Sequence, residues 1–216
     1  MKDENNYDFI ITEDSLNKNK EISDKMEGKT FHFHTHILYD LRTSFGDEDE
    51  IIYLEIGAFA GASSSLISSH PYQTKCFALD LGSPIDKQVV INNVNKFKNP
   101  ESNFEYIKGN SMDIRIINEI YNKIPYVNIL FIDGDHSKKA VFSDFNNFSK
   151  IVKKGGYICF DDYLDLKYSP EVYDAVNEIV DSLNKNEYEI IGSLKYELTK
   201  KYTEMESNSI FIIKKL

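Results

Sequence analysis

Short apolar runs alternate with amphipathic segments along most of the chain, from residue 51 to its end. Continuous apolar runs are typical of strands buried on both faces, whereas apolar residues that recur every three or four positions are typical of helices. The runs predict seven strands, at 51–57, 74–80, 104–108, 127–132, 157–160, 188–191 and 209–213. The recurring positions predict helices between them, at 64–69 and 84–97 and beginning at 111, 137 and 170.

Serine and proline mark the predicted helix starts. Ser83, Ser111 and Ser137 each precede a periodic segment, and serine is a favoured N-cap residue. Proline follows Ser83 directly, and another proline opens the helix that begins at 170. The helix after Ser137 is predicted to carry one apolar face, formed by Val141, Phe145, Phe148 and Val152. We expect residues 153–156, Lys-Lys-Gly-Gly, to form the turn that ends it.

Strands that alternate with helices predict an α/β fold with a mainly parallel central sheet. The connection at 192–208 holds too little helix for a right-handed crossover, so we expect the last strand to run antiparallel. No linker rich in proline, glycine or serine divides the chain. We therefore predict one domain at 46–216 and an N-terminal extension at 1–45, consisting of a loosely docked polar arm followed by a short helix that could act as a lid.

The composition of the chain argues against nucleic acid and membranes as partners. The 216 residues carry a formal net charge of −10, which gives no electrostatic footprint for nucleic acid or an anionic membrane. No apolar run approaches the roughly 20 residues of a membrane span, and the acidic N-terminus does not resemble a secretory signal. Both cysteines, Cys76 and Cys159, fall inside predicted buried strands. Such residues suit a reducing compartment, so we expect a cytoplasmic protein.

Ionisable residues follow two of the predicted buried strands directly. The strand at 127–132 is followed by Asp133, Asp135 and His136, and the strand at 157–160 is followed by Asp161 and Asp162. If the two strands are parallel neighbours, their carboxyl ends meet at the edge where open sheets bind ligands. Four carboxylates at one edge repel each other unless a cation lies among them. The sequence therefore predicts a cation site there.

A glycine-rich turn, Glu55-Ile-Gly57-Ala-Phe-Ala-Gly61, follows the first strand. Glycines at this point let the backbone approach a ligand closely and turn into a helix. The spacing matches neither the dinucleotide fingerprint nor the phosphate-binding loop, and the turn has no lysine. An acidic residue before the first glycine suits a cationic or hydroxylated ligand. The alternative is an ordinary strand–helix turn without a ligand.

Two further polar positions stand where a nucleoside would bind. Asp80 ends the second strand, 19 residues after Gly61, and an acid at about this distance commonly accepts the two ribose hydroxyls. Asn110 and Ser111 follow the third strand, where an amide and a hydroxyl could contact an adenine edge. The alternatives are a turn aspartate at 80 and a plain helix cap at 111.

Together these motifs resemble the class I S-adenosylmethionine-dependent methyltransferases. The resemblance covers residues from about 50 to 216 and implies the Rossmann-like, doubly wound sheet of that class, with seven strands in the order 3-2-1-4-5-7-6. It implies that the chain uses S-adenosylmethionine, with the glycine turn under the methionine end and Asp80 on the ribose. The cofactor-binding residues implied by the resemblance are Glu55, Gly57, Ala58, Phe59, Gly61, Ser63, Asp80, Leu81, Asn110, Ser111 and Asp133.

The two acidic tips, FIDGDH and CFDDY, are similar to those of metal-dependent sugar O-methyltransferases and the related cephalosporin hydroxylase-like group. The resemblance implies that Asp133, Asp161 and Asp162 bind a divalent cation, Mg²⁺ or Mn²⁺, and oxygen ligands favour Mg²⁺. Catechol-type enzymes usually carry asparagine at the last of these positions, so Asp162 favours a sugar or another vicinal diol as acceptor. Asp135 is the candidate general base, and His136 is the alternative, unless it only orients a carboxylate.

Three alternating histidines, His32, His34 and His36, lie in the predicted extension. In an extended segment they would share one face. They do not predict a zinc site, since no fourth ligand stands at metal spacing nearby. We interpret the segment as a wall over the cofactor, with His34 or His36 touching a small-molecule or glycan acceptor. The segment 31–45 is also a candidate homodimer contact. The alternatives left open are a methyltransferase for a catechol-like acceptor and a cofactor-binding module without turnover.

Overall fold

A computed structural model describes residues 12–28, 33–47, 50–82, 84–193 and 209–216. Within them, seven strands form one sheet in the order β3-β2-β1-β4-β5-β7-β6, in which β7 alone runs antiparallel to the other six strands. The strands are β1 Ile51–Ile56, β2 Thr74–Asp80, β3 Asn103–Lys108, β4 Val127–Ile132, β5 Val152–Phe160, β6 Tyr188–Ser193 and β7 Phe211–Lys215. The predicted fold class, strand order and antiparallel last strand are confirmed.

Helices cover both faces of the sheet, as alternating strands and helices require. They are α1 Glu13–Lys25, α2 Ile37–Ser44, α3 Ala62–Ser68, α4 Lys87–Phe97, α5 Ile114–Lys123, α6 Lys138–Phe148 and α7 Pro170–Ser182. Apolar residues of α5, α6 and α7 pack on one face of the sheet, whereas α2 and α3 pack on the other. Every residue of β1 and β4 is buried, which explains why these strands read as continuous apolar runs.

The structure corrects several predicted element ends. Ser83 lies outside the described residues, and α4 begins only at Lys87, with Asp86 as its N-cap. Helix α5 is capped by Asp113 and not by Ser111. Ser137 does cap α6, as predicted. Aspartate and serine are about equally good N-caps, so the local sequence offered two candidates at each start.

The predicted end of α6 is also wrong. The helix stops at Phe148, and Val152 begins β5 instead of continuing the apolar face. Residues 153–156 therefore lie within a strand, where the pairing with β4 shifts register. Gly155, with φ of 78°, and Gly156 belong to this irregular part of β5. A pair of glycines marks a strand irregularity as readily as a helix end.

The first described segment is a docked helix, contrary to the expected loose arm. Helix α1 buries the apolar residues Leu16 and Ile22, and its other buried residues are polar, namely Ser15, Asn19 and Ser23. The carboxylate of Asp40 accepts hydrogen bonds from the Thr12 and Ser15 hydroxyls, at 2.8 and 2.6 Å. At the other end of α1, the Asn93 side chain bonds both backbone groups of Glu27 and the carbonyl of Ala60 in the glycine turn. The extension therefore packs directly against the turn that follows β1. The domain boundary at 45/46 stays a prediction.

The histidine segment is helical and not extended. Residues Phe33–His36 form a 3₁₀ turn that leads into α2, so His34 and His36 do not alternate along a strand. Both are buried. His32 lies outside the described residues. Within the part of the chain that the structure describes, no helix is both long and apolar enough to cross a membrane.

Candidate active site

The two acidic tips lie side by side at the carboxyl edge of the sheet. The backbone N–H of Asp133 donates to the carbonyl of Ile56 at 2.8 Å, and that of Asp161 donates to the carbonyl of Ile132 at 3.0 Å. These bonds continue the parallel ladders of β1–β4 and β4–β5 by one residue. The register of the sheet thus fixes both tips, and the proximity expected from the sequence is confirmed.

Asp162, His34 and Asp161 form the first group of donors. One oxygen of each carboxylate and one nitrogen of the His34 ring lie within 4.8 Å of one another. His34 Nε2 is 2.6 Å from Asp161 Oδ1, and all three side chains are buried. A buried group of this composition is one that a metal ion could occupy. His34 was expected near the acceptor and not among the cation's neighbours, so its contact with Asp161 is new.

Asp162 also belongs to a second group, with Asp133 and His136. His136 Nε2 lies 3.7 Å from Asp133 Oδ1 and 3.6 Å from Asp162 Oδ2. On the other side of the ring, Nδ1 is 2.7 Å from the hydroxyl of Ser169, which donates to Asp162 Oδ2 at 3.2 Å. Since that hydroxyl gives its proton to Asp162, its oxygen accepts one from Nδ1. Nε2, on the opposite side of the ring, then faces the two carboxylates of Asp133 and Asp162, an arrangement that a nearby cation would stabilise.

Backbone geometry directs Asp162 into both groups. Its φ is 54°, in the left-handed region that residues with a Cβ rarely adopt. Such a conformation costs on the order of 1–3 kcal/mol, which the surrounding structure must offset. Asp162 accordingly stands at the point where β5 ends and the chain turns sharply toward the next loop.

Electrostatics around the tips are unfavourable for three separate anions. Burial and the carboxylates of Asp161 and Asp162 raise the pKa of Asp133 well above its usual range. Burial acts to lower the pKa of His34, but Asp161 and its acidic neighbours outweigh it, and the pKa of His34 is raised. Both shifts have the same cause, since the negative charges gathered here stabilise any added positive charge. A divalent cation would meet that demand and keep the carboxylates ionised.

The glycine turn lies directly against the Asp133 tip. Gly57 has φ of 90°, and a Cβ built on it would stand 1.9 Å from the backbone oxygen of Asp133. Asp80 holds the turn from the other side, since its Oδ2 accepts from the N–H groups of Ala58 and Phe59 at 2.8 and 3.1 Å. Gly61, with φ of 82°, then forms the N-cap of α3. The turn is therefore a rigid element, shaped for close approach.

Glu55 lies beneath this turn and not in contact with solvent. It is fully buried, and the hydroxyls of Ser63 and Ser64 donate to its two oxygens. Burial raises its pKa to about 7. The structure thus places Glu55 and Ser63 as supports for the start of α3, where neither contributes to the walls of the cleft described next.

A cleft of about 310 Å³ opens beside the turn. Its walls contain eight of the residues singled out from the sequence, namely Gly57, Phe59, Asp80, Leu81, Asn110, Ser111, Asp133 and Asp135. Ala58 and Gly61 shape the turn but do not line the cleft. Met112 also lines it, and together with Phe59 and Leu81 it exposes apolar surface there, at 39%, 44% and 62% of each side chain's full area.

Hydrogen bonds fix the part of the cleft wall that Asp80 and Asn110 form. The second oxygen of Asp80 accepts from the Gly82 N–H at 2.6 Å and from the Tyr106 hydroxyl at 3.1 Å. Asn110 accepts from the N–H of Met112 at 2.9 Å, which fixes the loop after β3. Sequence reasoning missed Tyr106, because nothing in the local pattern distinguishes one strand tyrosine from the other tyrosines of the chain.

Asp135, the candidate base, stands apart from the cation groups. It is exposed, its Oδ1 accepts from the Ser137 N–H at 2.8 Å, and this bond lowers its pKa. It lines the cleft, whereas His136 points toward Asp133 and Asp162. The structure thus separates the two candidate bases in space, and the assignment between them stays a prediction.

The sheet order and the glycine turn over an open cleft define the fold of a class I S-adenosylmethionine-dependent methyltransferase. A family model described as a methyltransferase domain matches residues 54–163, and the chain belongs to that family. The chain is also 41% identical over 182 residues to the uncharacterised protein R132 of Acanthamoeba polyphaga mimivirus, a match that covers 81% of each.

Solved structures with low identity share the fold. An O-methyltransferase from Bacillus cereus, in complex with SAH, superposes with a TM-score of 0.61 at 14% identity, covering 96% of this chain and 92% of that one. The MycE methyltransferase of the mycinamycin biosynthetic pathway, in complex with Mg and SAH, gives 0.62 at 16% identity and covers 94% of this chain. This chain spans about half of MycE, 54% of its length.

Proposed function

We propose that this methyltransferase transfers the methyl group of S-adenosylmethionine to a hydroxyl oxygen of a sugar or another vicinal diol, with a divalent cation held by Asp133, Asp161 and Asp162. The observation that carries the proposal is the meeting of these carboxylates beside the cleft. Asp133 belongs to both places, since it lines the cleft and lies within reach of His136 and Asp162. A methyl donor in the cleft would thus face an acceptor held at the cation.

The cleft fits a nucleoside with a charged tail. Its apolar walls, Leu81 and Met112, offer surface for the faces of an adenine ring. Asp80 stands between them and the glycine turn, with oxygens already oriented by amide donors, and ribose hydroxyls would compete for those oxygens. The methionine end would lie over Gly57, which lines the cleft and packs so closely on the Asp133 backbone that only a residue without a Cβ fits there.

The donor groups at the tips fit a divalent cation. The carboxylates of Asp161 and Asp162 stand close enough to Asp133 to raise its pKa, and Asp162 belongs to both groups of possible donors. When bound, the cation would hold neighbouring oxygens of the acceptor and lower the pKa of the attacked hydroxyl. A structure of MycE, which shares the fold, was solved with Mg, SAH and mycinamycin VI together and supports this combination.

Methyl transfer requires a group that takes the hydroxyl proton. The bond from methyl carbon to sulfur breaks as the bond from carbon to the acceptor oxygen forms, and S-adenosylhomocysteine is released. His136 can accept the proton on Nε2, because Ser169 holds the other ring nitrogen. Asp135 is the alternative acceptor at the cleft wall. Positioning of donor and acceptor would supply much of the rate.

Ligand and metal removal tests the proposal. S-adenosylhomocysteine at 100 times its Kd is expected to stabilise the fold by about 2.7 kcal/mol, which raises Tm by roughly 5–10 °C. EDTA is expected to abolish methyl transfer to a panel of sugars, sugar nucleotides and catechols without unfolding the protein. No shift with S-adenosylhomocysteine would contradict cofactor binding. A shift without transfer to any acceptor would favour a module without turnover, and transfer to catechols alone would favour the catechol-type alternative.

Substitution of each candidate base separates the two. His136→Gln is expected to lower kcat by about 10²–10⁴ with little change in affinity for S-adenosylhomocysteine, because loss of a general base slows only proton transfer. Asp135→Asn is the matched control at the neighbouring position and should lower kcat by less than about tenfold. Steady-state assays at saturating S-adenosylmethionine measure kcat for the two variants. A larger loss of kcat in Asp135→Asn than in His136→Gln would show that Asp135 is the base.

A further inference from the structure

We propose that His34, supplied by the N-terminal extension, is a nitrogen ligand of the cation at the Asp161–Asp162 tip, so that the site prefers Mn²⁺ to Mg²⁺. This inference rests on the proposed cation site and deepens it. It changes the expected ligand set from oxygens alone to a mixture of oxygen and nitrogen. It also gives the extension a chemical role at the active site.

Donor distances carry the first step. Adjacent ligands on an ion with bonds of about 2.1 Å stand about 3 Å apart, and opposite ligands about 4 Å apart. His34 Nε2 lies 2.6 Å from Asp161 Oδ1, and the donors of His34, Asp161 and Asp162 all lie within 4.8 Å of one another. The observed spacings thus bracket those of a coordination shell. A small opening of the contact between His34 and Asp161 would admit an ion between them.

The way His34 is held carries the second step. Its 3₁₀ turn continues into α2, whose Ile37, Leu38 and Leu41 are fully buried against the sheet. The next residue, Thr35, accepts a hydrogen bond from Asn19 of α1 at 3.2 Å. The ring is therefore delivered by a packed element with only 5% of the residue exposed, and its position costs little further ordering when an ion binds.

Ligand chemistry carries the third step. Mg²⁺ binds oxygen ligands and retains its waters, whereas imidazole suits first-row transition metals. Carboxylates also suit Mn²⁺, so carboxylates combined with an imidazole favour it over Mg²⁺. Asp162 is shared by the two donor groups, so His136, whose Nε2 faces Asp133 and Asp162, lies near the same ion site. The alternative is that His34 only hydrogen-bonds Asp161 and orients it from outside the shell.

Metal titration of the full-length protein distinguishes these roles. We expect the wild type to bind Mn²⁺ at least tenfold more tightly than Mg²⁺, as measured by calorimetry with each metal alone. His34→Gln should weaken Mn²⁺ binding at least tenfold and Mg²⁺ binding less than threefold, which reduces the preference. His70→Gln is the matched control, since His70 is equally buried and bonds Thr43 outside both donor groups. It should leave both affinities unchanged.

Pulsed EPR of bound Mn²⁺ provides a second readout, because it detects directly which ligand atoms are bound to the ion. Directly bound imidazole nitrogen is expected in the wild type and in His136→Gln, and it should disappear when His34→Gln is added to His136→Gln. Equal loss of both metals in His34→Gln, or no nitrogen coupling in His136→Gln, would overturn the role of His34 and leave the proposed function intact. Absence of any metal binding by the wild type would instead overturn the cation part of the proposed function.

Discussion

Gly57→Ala is expected to weaken the binding of S-adenosylhomocysteine by at least about 100-fold and to destabilise the fold. An alanine Cβ at this position would stand 1.9 Å from the backbone oxygen of Asp133, and its φ of 90° is unfavourable for a residue with a Cβ. Neither atom in the clash belongs to a flexible side chain. The glycine turn or the β4 tip must therefore move, and both contribute to the cleft. Calorimetric titration measures the affinity, and chemical denaturation measures the stability.

Gly155→Ala is the matched control for this substitution. Gly155 also has positive φ, 78°, but no atom lies within 4 Å of the Cβ it would gain. It shares the backbone strain without the clash, so a cost of about 1 kcal/mol in stability and unchanged affinity are expected. Equal effects of the two substitutions on affinity would show that the close approach of the turn to Asp133 does not shape the cofactor site.

Asp162→Asn is expected to lower methyl transfer by a factor on the order of 10²–10³, the loss typical of removing one charged or polar group from a catalytic centre. Affinity for the cation should fall in parallel, because Asp162 belongs to both donor groups. Without cation, the free energy of unfolding should stay the same or rise, since one of the repelling carboxylates is gone. A residue with a merely structural role would instead lose stability and keep its affinity for metal.

Asp165→Asn provides the comparison for Asp162→Asn. Asp165 is equally buried in the same loop and accepts the Tyr168 N–H at 3.1 Å, a bond that asparagine can keep. It belongs to neither donor group. Turnover and metal affinity within threefold of wild type are expected. If Asp165→Asn lost as much activity as Asp162→Asn, the loss would follow from removing any acidic side chain of this loop. Asp162 would then have no special role as a cation ligand.

The sheet could be predicted because its inner strands are buried on both faces. In β1, β4 and the end of β5, nearly every position is apolar, so the strands stand out without tertiary information. The acidic tips follow those strands directly, and the parallel register brings Asp133 and Asp161 together. Sequence order and strand pairing were therefore enough to predict this part of the site.

The N-terminal extension could not be predicted in the same way. Helix α1 docks through polar contacts such as those of Asp40 and Asn93, which leave no apolar period in the sequence. His34 meets Asp161 across 127 positions of the chain, a pairing that no local pattern encodes. The run of histidines was the available signal, but His34 and His36 lie in a 3₁₀ turn and not in the assumed extended segment. Glu55 illustrates a further limit, because its burial under Ser63 and Ser64 depends on how α3 packs.

Crystals grown with S-adenosylhomocysteine and Mn²⁺, measured for anomalous scattering at the manganese edge, give the most direct test of the shared site. The account predicts one peak in contact with carboxylate oxygens of Asp133, Asp161 and Asp162, with the nucleoside lying in the cleft beside Gly57 and Asp80. A peak elsewhere, or an ordered nucleoside with no metal at the two tips, would contradict it.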